Sequence, residues 1–215
     1  MIKVKSTVVA IGLLFSMSAS AGIVQLDFEG VGNYNAVGNF YNGGAGTNYG
    51  INFSGPTLGL VDADNGGSGN FANEPSSNTI IFFLDAQNAI LNYAAGFDTG
   101  FSFFYTSSTA ASVNVYDGLN ATGNLLGTLA LAAQYTQNCS GDPTGQFCHF
   151  DPIGVLFAGV AKSIDFGGTA NQTGFDNITF GTNNPSPINS VPLPAAGWLF
   201  GSALLAFAGR KSVFS

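Results

Sequence analysis

Between residues 22 and 181, short apolar or alternating runs recur between clusters of Gly, Asn, Asp and Ser, a spacing that predicts β-strands joined by turns. The alternation is plainest at Val113 and Val115 against Asn114 and Tyr116, and at Ile164 and Phe166 against Asp165. Successive side chains on a strand point to opposite faces, so one member of each set faces a core and the other faces out. Strands are expected at Ile23 to Phe28, Ile51 to Ser54, Thr57 to Val61, Thr79 to Leu84, Ile90 to Tyr93, Phe97 to Ser107, Ser112 to Tyr116, Leu125 to Leu131, Gly154 to Phe157, Ala161 to Phe166 and Phe175 to Phe180. The polar stretches 33–48 and 62–77 read as long loops. Many short strands with few helical signals predict an all-β antiparallel sandwich, and about 160 residues suffice for one domain with its own core.

Composition strengthens this reading. Charged residues make up 8% of the chain, and Lys, Arg and Glu, which favour exposed helices, are scarce in the middle. The few charges are unevenly placed. Lys3, Lys5, Arg210 and Lys211 lie at the two ends, and Lys162 alone opposes the twelve acidic residues between Asp27 and Asp176, leaving that region at a net −11. Such a surface repels nucleic acid and anionic lipid, which excludes both as partners of the domain.

The basic residues at the ends border apolar segments. Lys3 and Lys5 precede the run Val8 to Phe15 and an Ala-x-Ala ending at Ala21, so residues 1–21 read as a cleaved secretory signal. Residues 182–190, with Asn-Asn-Pro-Ser-Pro, read as an extended linker. Beyond it, Val191-Pro192-Leu193-Pro194-Ala195 opens an uncharged stretch that runs to Gly209 before Arg210 and Lys211. A helix from Ala195 to Gly209 would be about 23 Å long against a bilayer core of about 30 Å, which suits a transient anchor better than a permanent one.

Residues 191–215 resemble the PEP-CTERM sorting signals of Gram-negative bacteria, in the variant whose signature reads VPLPA. The resemblance implies recognition by an exosortase-type membrane protease, brief residence in the inner membrane, and delivery to the cell surface or extracellular matrix. The segments Val113 to Gly118, Ser163 to Phe166 and Phe175 to Phe180, with Phe28-Glu29 near the start, resemble jelly-roll carbohydrate-binding-like modules. This resemblance implies a jelly-roll form of the sandwich and a structural calcium near the first and last strands.

Three kinds of chemistry are then expected. Cys139 and Cys148, the two cysteines of an exported chain, are expected to form a disulfide. Calcium requires hard oxygens on turn-rich backbone, and its candidate ligands are Glu29 and Asp176, with Asp27, and separately Asp62 and Asp64 at the start of a polar loop. Tyr34, Tyr41 and Tyr49 are candidate platforms for an extracellular polysaccharide. His149 is the sole histidine, so catalysis by a histidine-based triad would rest on it alone. The expectation is therefore a non-enzymatic structural or adhesive surface component, with a glycan-binding module as the alternative and a carboxylate hydrolase as the third reading.

Overall fold

A computed structural model describes residues 23–135, 139–140 and 145–186. The expected signal peptide at 1–21, the last part of the expected linker and the expected sorting tail at 191–215 lie outside the described residues. Among the described residues no helix is long and apolar enough to cross a membrane.

Among the described residues eleven strands form two antiparallel sheets. They are β1 (Val24–Leu26), β2 (Ile51–Phe53), β3 (Thr57–Val61), β4 (Thr79–Phe83), β5 (Asn88–Phe97), β6 (Gly100–Ser107), β7 (Ala111–Tyr116), β8 (Leu125–Leu131), β9 (Asp151–Leu156), β10 (Ala161–Gly167) and β11 (Thr173–Phe180). One sheet has the order β3-β4-β11-β6-β9 with β1 also on β11, and the other has β2-β5-β10-β7-β8. The chain crosses repeatedly between the two layers, as in a jelly-roll sandwich.

Phenylalanine dominates the space between the sheets. Phe101 is fully buried and packs its ring against those of Phe97, Phe103, Phe166 and Phe180 at centroid distances of 6.1, 5.4, 6.0 and 5.8 Å. Most of these pairs are tilted or edge-to-face, the arrangement that the ring quadrupole favours. Val113, Val115, Ile164 and Phe166 point into this core, as their alternation predicted.

Several strand boundaries differ from expectation, most of all at β5 and β9. The run Ala94-Ala95-Gly96 was expected to end a strand, yet β5 continues through it to Phe97. Gly96 takes φ +78° there, and the register with β10 shifts between Ala161 and Ser163, so the strand absorbs the irregularity as a bulge. The hairpin turn falls instead at Asp98 and Thr99. β9 also begins earlier than expected, at Asp151, and takes in Pro152. A proline lacks the N–H that a central strand needs, and β9 is an edge strand, where that loss is tolerated.

The sheet carrying β11 is covered on its outer face as well. Leu60, Ile80 and Phe82 form a second apolar cluster with Phe71, and Phe147 and Phe150 pack on it. Two loop segments supply this cover and are paired to each other. Gln146 N and Phe147 N both donate to Asn70 O, and Ala72 N donates to Phe147 O. The expected disulfide joins Cys139 to Cys148 and closes the second segment, with 5.3 Å between the Cα atoms. All eight residues of β11 are buried.

Candidate functional site: an oxygen cluster and an outer-face pocket

The geometry of the first site begins with a shared edge. β4 pairs with β11 at Gly174 and Phe175, whereas β1 pairs with it from Ile178 to Phe180, so two strands divide one side of β11 between them. At the division β11 is irregular. Asn177 takes φ +48°, and the register with β6 shifts between Asp176 and Thr179. Asp176 is thereby set at a break in the ladder, fully buried.

The loops before β4 and after β1 meet at this break. Asp176 Oδ2 accepts hydrogen bonds from the Ser76 N–H at 2.9 Å and the Ser76 hydroxyl at 2.8 Å, and Oδ1 accepts from Asn177 N at 2.7 Å. Glu29 Oε1 accepts from the N–H groups of Asn78 and Thr79, each at 3.0 Å. Ser76 Oγ lies within 3.2 Å of four oxygens: Asp176 Oδ2, Glu29 Oε1, Asp27 O and Thr79 O. A hydroxyl carries one proton, so at most one of these four contacts is a hydrogen bond from Ser76 and the others set lone pair against lone pair.

The electrostatics point the same way. Burial, reinforced by the charge of Glu29, pushes the Asp176 carboxyl up to about 7 despite the N–H and hydroxyl donors of Ser76. Glu74, half-buried beside the acidic groups Asp62, Glu29 and Asp64, is likewise pushed up to about 7, chiefly by burial. An excess of oxygen lone pairs without protons, in a region that resists negative charge, is an environment in which a cation is favourable. Two carboxylates, two carbonyls and a hydroxyl are all hard oxygens, the donor type that suits calcium. Among the described residues no three Asp, Glu, His or Cys side chains gather as a metal cluster, so backbone carbonyls would have to supply much of such a coordination shell.

The sequence candidates distribute unevenly over this site. Glu29 and Asp176 are brought together through Ser76. Asp27 takes part through its carbonyl only, because its carboxylate Oδ1 faces the Tyr41 hydroxyl at 3.4 Å and Glu29 N at 3.3 Å. The first strand was expected to run to Phe28 and so to include Asp27, but β1 ends at Leu26 and Phe28 turns the chain with φ +60°. Asp62 is buried at the start of a 3-10 turn, Ala63–Asn65, whose backbone folds back onto the Asp62 carbonyl, and Asp64 is exposed. An open cleft of about 370 Å³ lined by Asp27, Glu29, Phe40 and Thr47 adjoins the oxygen cluster. Ser76 was not a sequence candidate, since one serine in a polar loop carries no signal of its own.

A pH dependence follows for the metal-free protein. Asp176 titrates near 7 when folded and near its ordinary value of 3.8 when unfolded, so the folded state binds the extra proton between those limits. Its stabilising contribution is complete below about pH 4 and is lost as pH rises through about 7. The thermal midpoint of chelated protein should therefore fall between pH 5 and pH 8, with Glu74 adding to the fall in the same direction, and Asp176→Asn should make that slope shallower. Midpoints measured by circular dichroism in metal-free buffers check this.

The second site is on the outer face of the β11 sheet. There a cavity of about 30 Å³ is lined by Leu60, Ile80, Phe82 and Phe71 on its apolar side and by Thr106, Asn70 and Gln172 among its polar groups. Gly174 lets the Ile80 side chain lie close over β11 at its wall, since a Cβ at that position would stand 2.7 Å from Ile80 Cδ1. Two exposed tyrosines touch its lining rings: Tyr34, 46% exposed, lies on Phe82 at 6.0 Å, and Tyr135, 42% exposed, lies on Phe147 at 5.8 Å. Of the three tyrosines proposed from sequence, Tyr34 alone is positioned in this way. Tyr41 is not a surface platform but a core residue, 3% exposed, whose oxygen accepts from Phe28 N at 2.8 Å. Tyr49 is half-buried and stacks on Tyr41 at 6.2 Å.

No protein-family model matches the chain, and no curated protein matches its sequence. Solved structures similar to it include a family 6 carbohydrate-binding module, at 19% identity and a TM-score of 0.36, covering 60% of this chain and 84% of that one. A family 11 carbohydrate-binding module from Clostridium thermocellum, in complex with a β-1,3-1,4-mixed-linked tetrasaccharide, shares 12% identity at a TM-score of 0.36 over 75% of this chain and 96% of that one. A family 43 arabinoxylan arabinofuranohydrolase from Bacillus subtilis shares 19% identity at a TM-score of 0.38, over 60% of this chain but 25% of that one. Similarities this distant bear on neither ligand nor activity, and the architecture rests on the strand order itself. His149, the one residue on which a triad would depend, is exposed and lies 2.8 Å from Asp151, whose side chain is half exposed.

Proposed function

We propose that this chain is an exported, non-catalytic bacterial surface or matrix protein whose β-sandwich binds polysaccharide, with a calcium ion at the Glu29–Asp176 cluster as a structural element. Export and sorting rest on the sequence at the two ends, where a cleavable signal and a VPLPA-type tail bracket the domain. The observation that carries the glycan reading is the outer-face pocket, where an apolar floor meets amide and hydroxyl groups and two exposed tyrosine rings pack on the lining. Sugar rings present C–H faces to aromatic rings and hydroxyls to side-chain amides, so this mixture is what such a ligand requires.

Calcium, when bound, supplies positive charge and joins the loop after β1 to the loop before β4. Asp176 and Glu29 would hold it with their carboxylates, and Asp27 and Thr79 with their carbonyls. The purely structural reading remains the competitor, and retention on polysaccharide discriminates the two. In affinity electrophoresis through a panel of soluble polysaccharides, the wild-type chain should be retarded by at least one. Tyr34→Ala combined with Tyr135→Ala should weaken that retention about tenfold, since each stacked ring contributes about 0.5–1.5 kcal/mol. Retardation by none of the polymers leaves the structural role.

A further inference from the structure

We infer that strand β8 is an association edge, along which two copies of this chain pair antiparallel and join their sheets into one. The inference goes beyond glycan binding and does not depend on it. A strand without a neighbour on one side leaves N–H and C=O groups open as a template for another strand, and proteins blunt such edges by shortness, proline, charge or a covering segment. Among the described residues β1, β2, β3, β8 and β9 have a free side in their sheets. Four of them are blunted. β1 has only three residues. β2 is covered by the chain before it, where Ile51 N donates to Tyr41 O and Phe53 N to Gly38 O. Residues 34–37 run along β3, where Gly59 N donates to Asn35 O and Val37 N to Thr57 O. β9 carries Asp151 and Pro152.

β8 has none of these devices. It is seven residues long, Leu-Leu-Gly-Thr-Leu-Ala-Leu, without proline or charge. Its ladder runs to β7 alone, and no other backbone group among the described residues bonds to it. Val155 of β9 meets it at Gly127, but Gly127 pairs with the buried Val115, so that contact is on the inward side and not along the edge. Apolar surface adjoins the start of the strand. Leu125 is 55% exposed, and the turn at 157–160, whose Gly159 lies against Leu126, presents Val160 at 49%.

Charge selects the occupant. One lysine against twelve acidic residues makes two copies of this domain repel wherever their acidic surfaces meet. Residues 118–141 contain no charged residue, so copies that approach along β8 meet where that repulsion is least. A basic partner would gain more on the acidic remainder of the surface, whereas an uncharged edge suits a partner of like charge. Antiparallel pairing about a two-fold axis is self-complementary, so a second copy supplies every main-chain group that the edge lacks.

The test uses the full chain in a non-ionic detergent, which occupies the apolar segments at its two ends. Sedimentation equilibrium over about 1 to 100 µM should show the mass rising from one chain to two by mass action. Over the same range, hydrogen exchange at the amides of 125–131 that β7 leaves free should slow by about tenfold or more. Thr128→Glu combined with Ala130→Glu, both exposed, sets like charges across the pair and should return the chain to one copy without lowering the thermal midpoint of dilute protein. A wild-type chain that stays single throughout overturns the inference. So does a dimer that the double variant keeps, or one that leaves exchange in β8 unchanged, since the copies then meet elsewhere. Should the double variant fail to fold, the exchange of the wild-type chain decides alone.

Discussion

Adding calcium to the chelated protein at pH 8 should raise its thermal midpoint by about 5–10 °C, and Glu29→Gln should remove most of that gain. The magnitude follows from mass action. A ligand at about a hundred times its dissociation constant stabilises the folded state by about 2.7 kcal/mol, and for a domain of this size each kcal/mol moves the midpoint by about 2–4 °C. Asp176→Asn provides a control of opposite sign. Without calcium it should raise the midpoint at pH 8, because it removes a buried carboxylate held among oxygens; with calcium it should gain little, because a ligand is lost. Scanning calorimetry with calcium or chelator checks all three proteins. A wild-type midpoint indifferent to calcium would leave the crowded oxygens around Ser76 without a cation.

The other large effect concerns the core. Phe101→Ala should lower stability by about 3–5 kcal/mol, because the ring is fully buried and touches four other aromatic rings that cannot all close on the void. The midpoint should fall by about 6–20 °C. Leu156→Ala, on the edge strand β9, removes a side chain that is 61% exposed and should change stability by no more than about 0.5 kcal/mol. Urea unfolding of both variants beside the wild type measures the contrast. A loss at Leu156 equal to that at Phe101 would contradict the division between core and surface drawn here.

Where the sequence was informative, the physics was local. β3 and β8 occupy the residues that their apolar runs predicted, and the inward faces of β7 and β10 follow from period-two alternation. Thr79-Ile80-Ile81-Phe82-Phe83 does not alternate, and an unbroken apolar run signals a strand buried on both faces. What buries its outer face is supplied by segments near residues 70 and 147, and a pairing over that separation leaves no local trace. Tyr41 was misplaced for the same reason. Its neighbours Gly, Asn and Asn read as loop, and only the return of that loop onto Phe28 puts the ring inside. Glu29 and Asp176 could be named from a resemblance, but Ser76, which joins them, could not. The two terminal segments are the reverse case: their pattern is plain in the sequence, and they lie outside the described residues.

The divided edge of β11 has a mechanical meaning. Val24 pairs with Phe180, and Gln25 Nε2 donates to Pro185 O, so the chain enters and leaves the sandwich at one pole. Gly174, at the pocket, stands about 20 Å along the same strand toward the opposite pole. Force applied between the two ends would peel β1 from β11 one hydrogen bond at a time, the weak direction. A protein held at its C-terminal end and by a ligand at the pocket would instead be loaded along β11, with the bonds to β6 and β4 sharing the strain in shear. The sandwich is thus weak to force applied between its two ends and strong to force applied between its C-terminal end and the pocket.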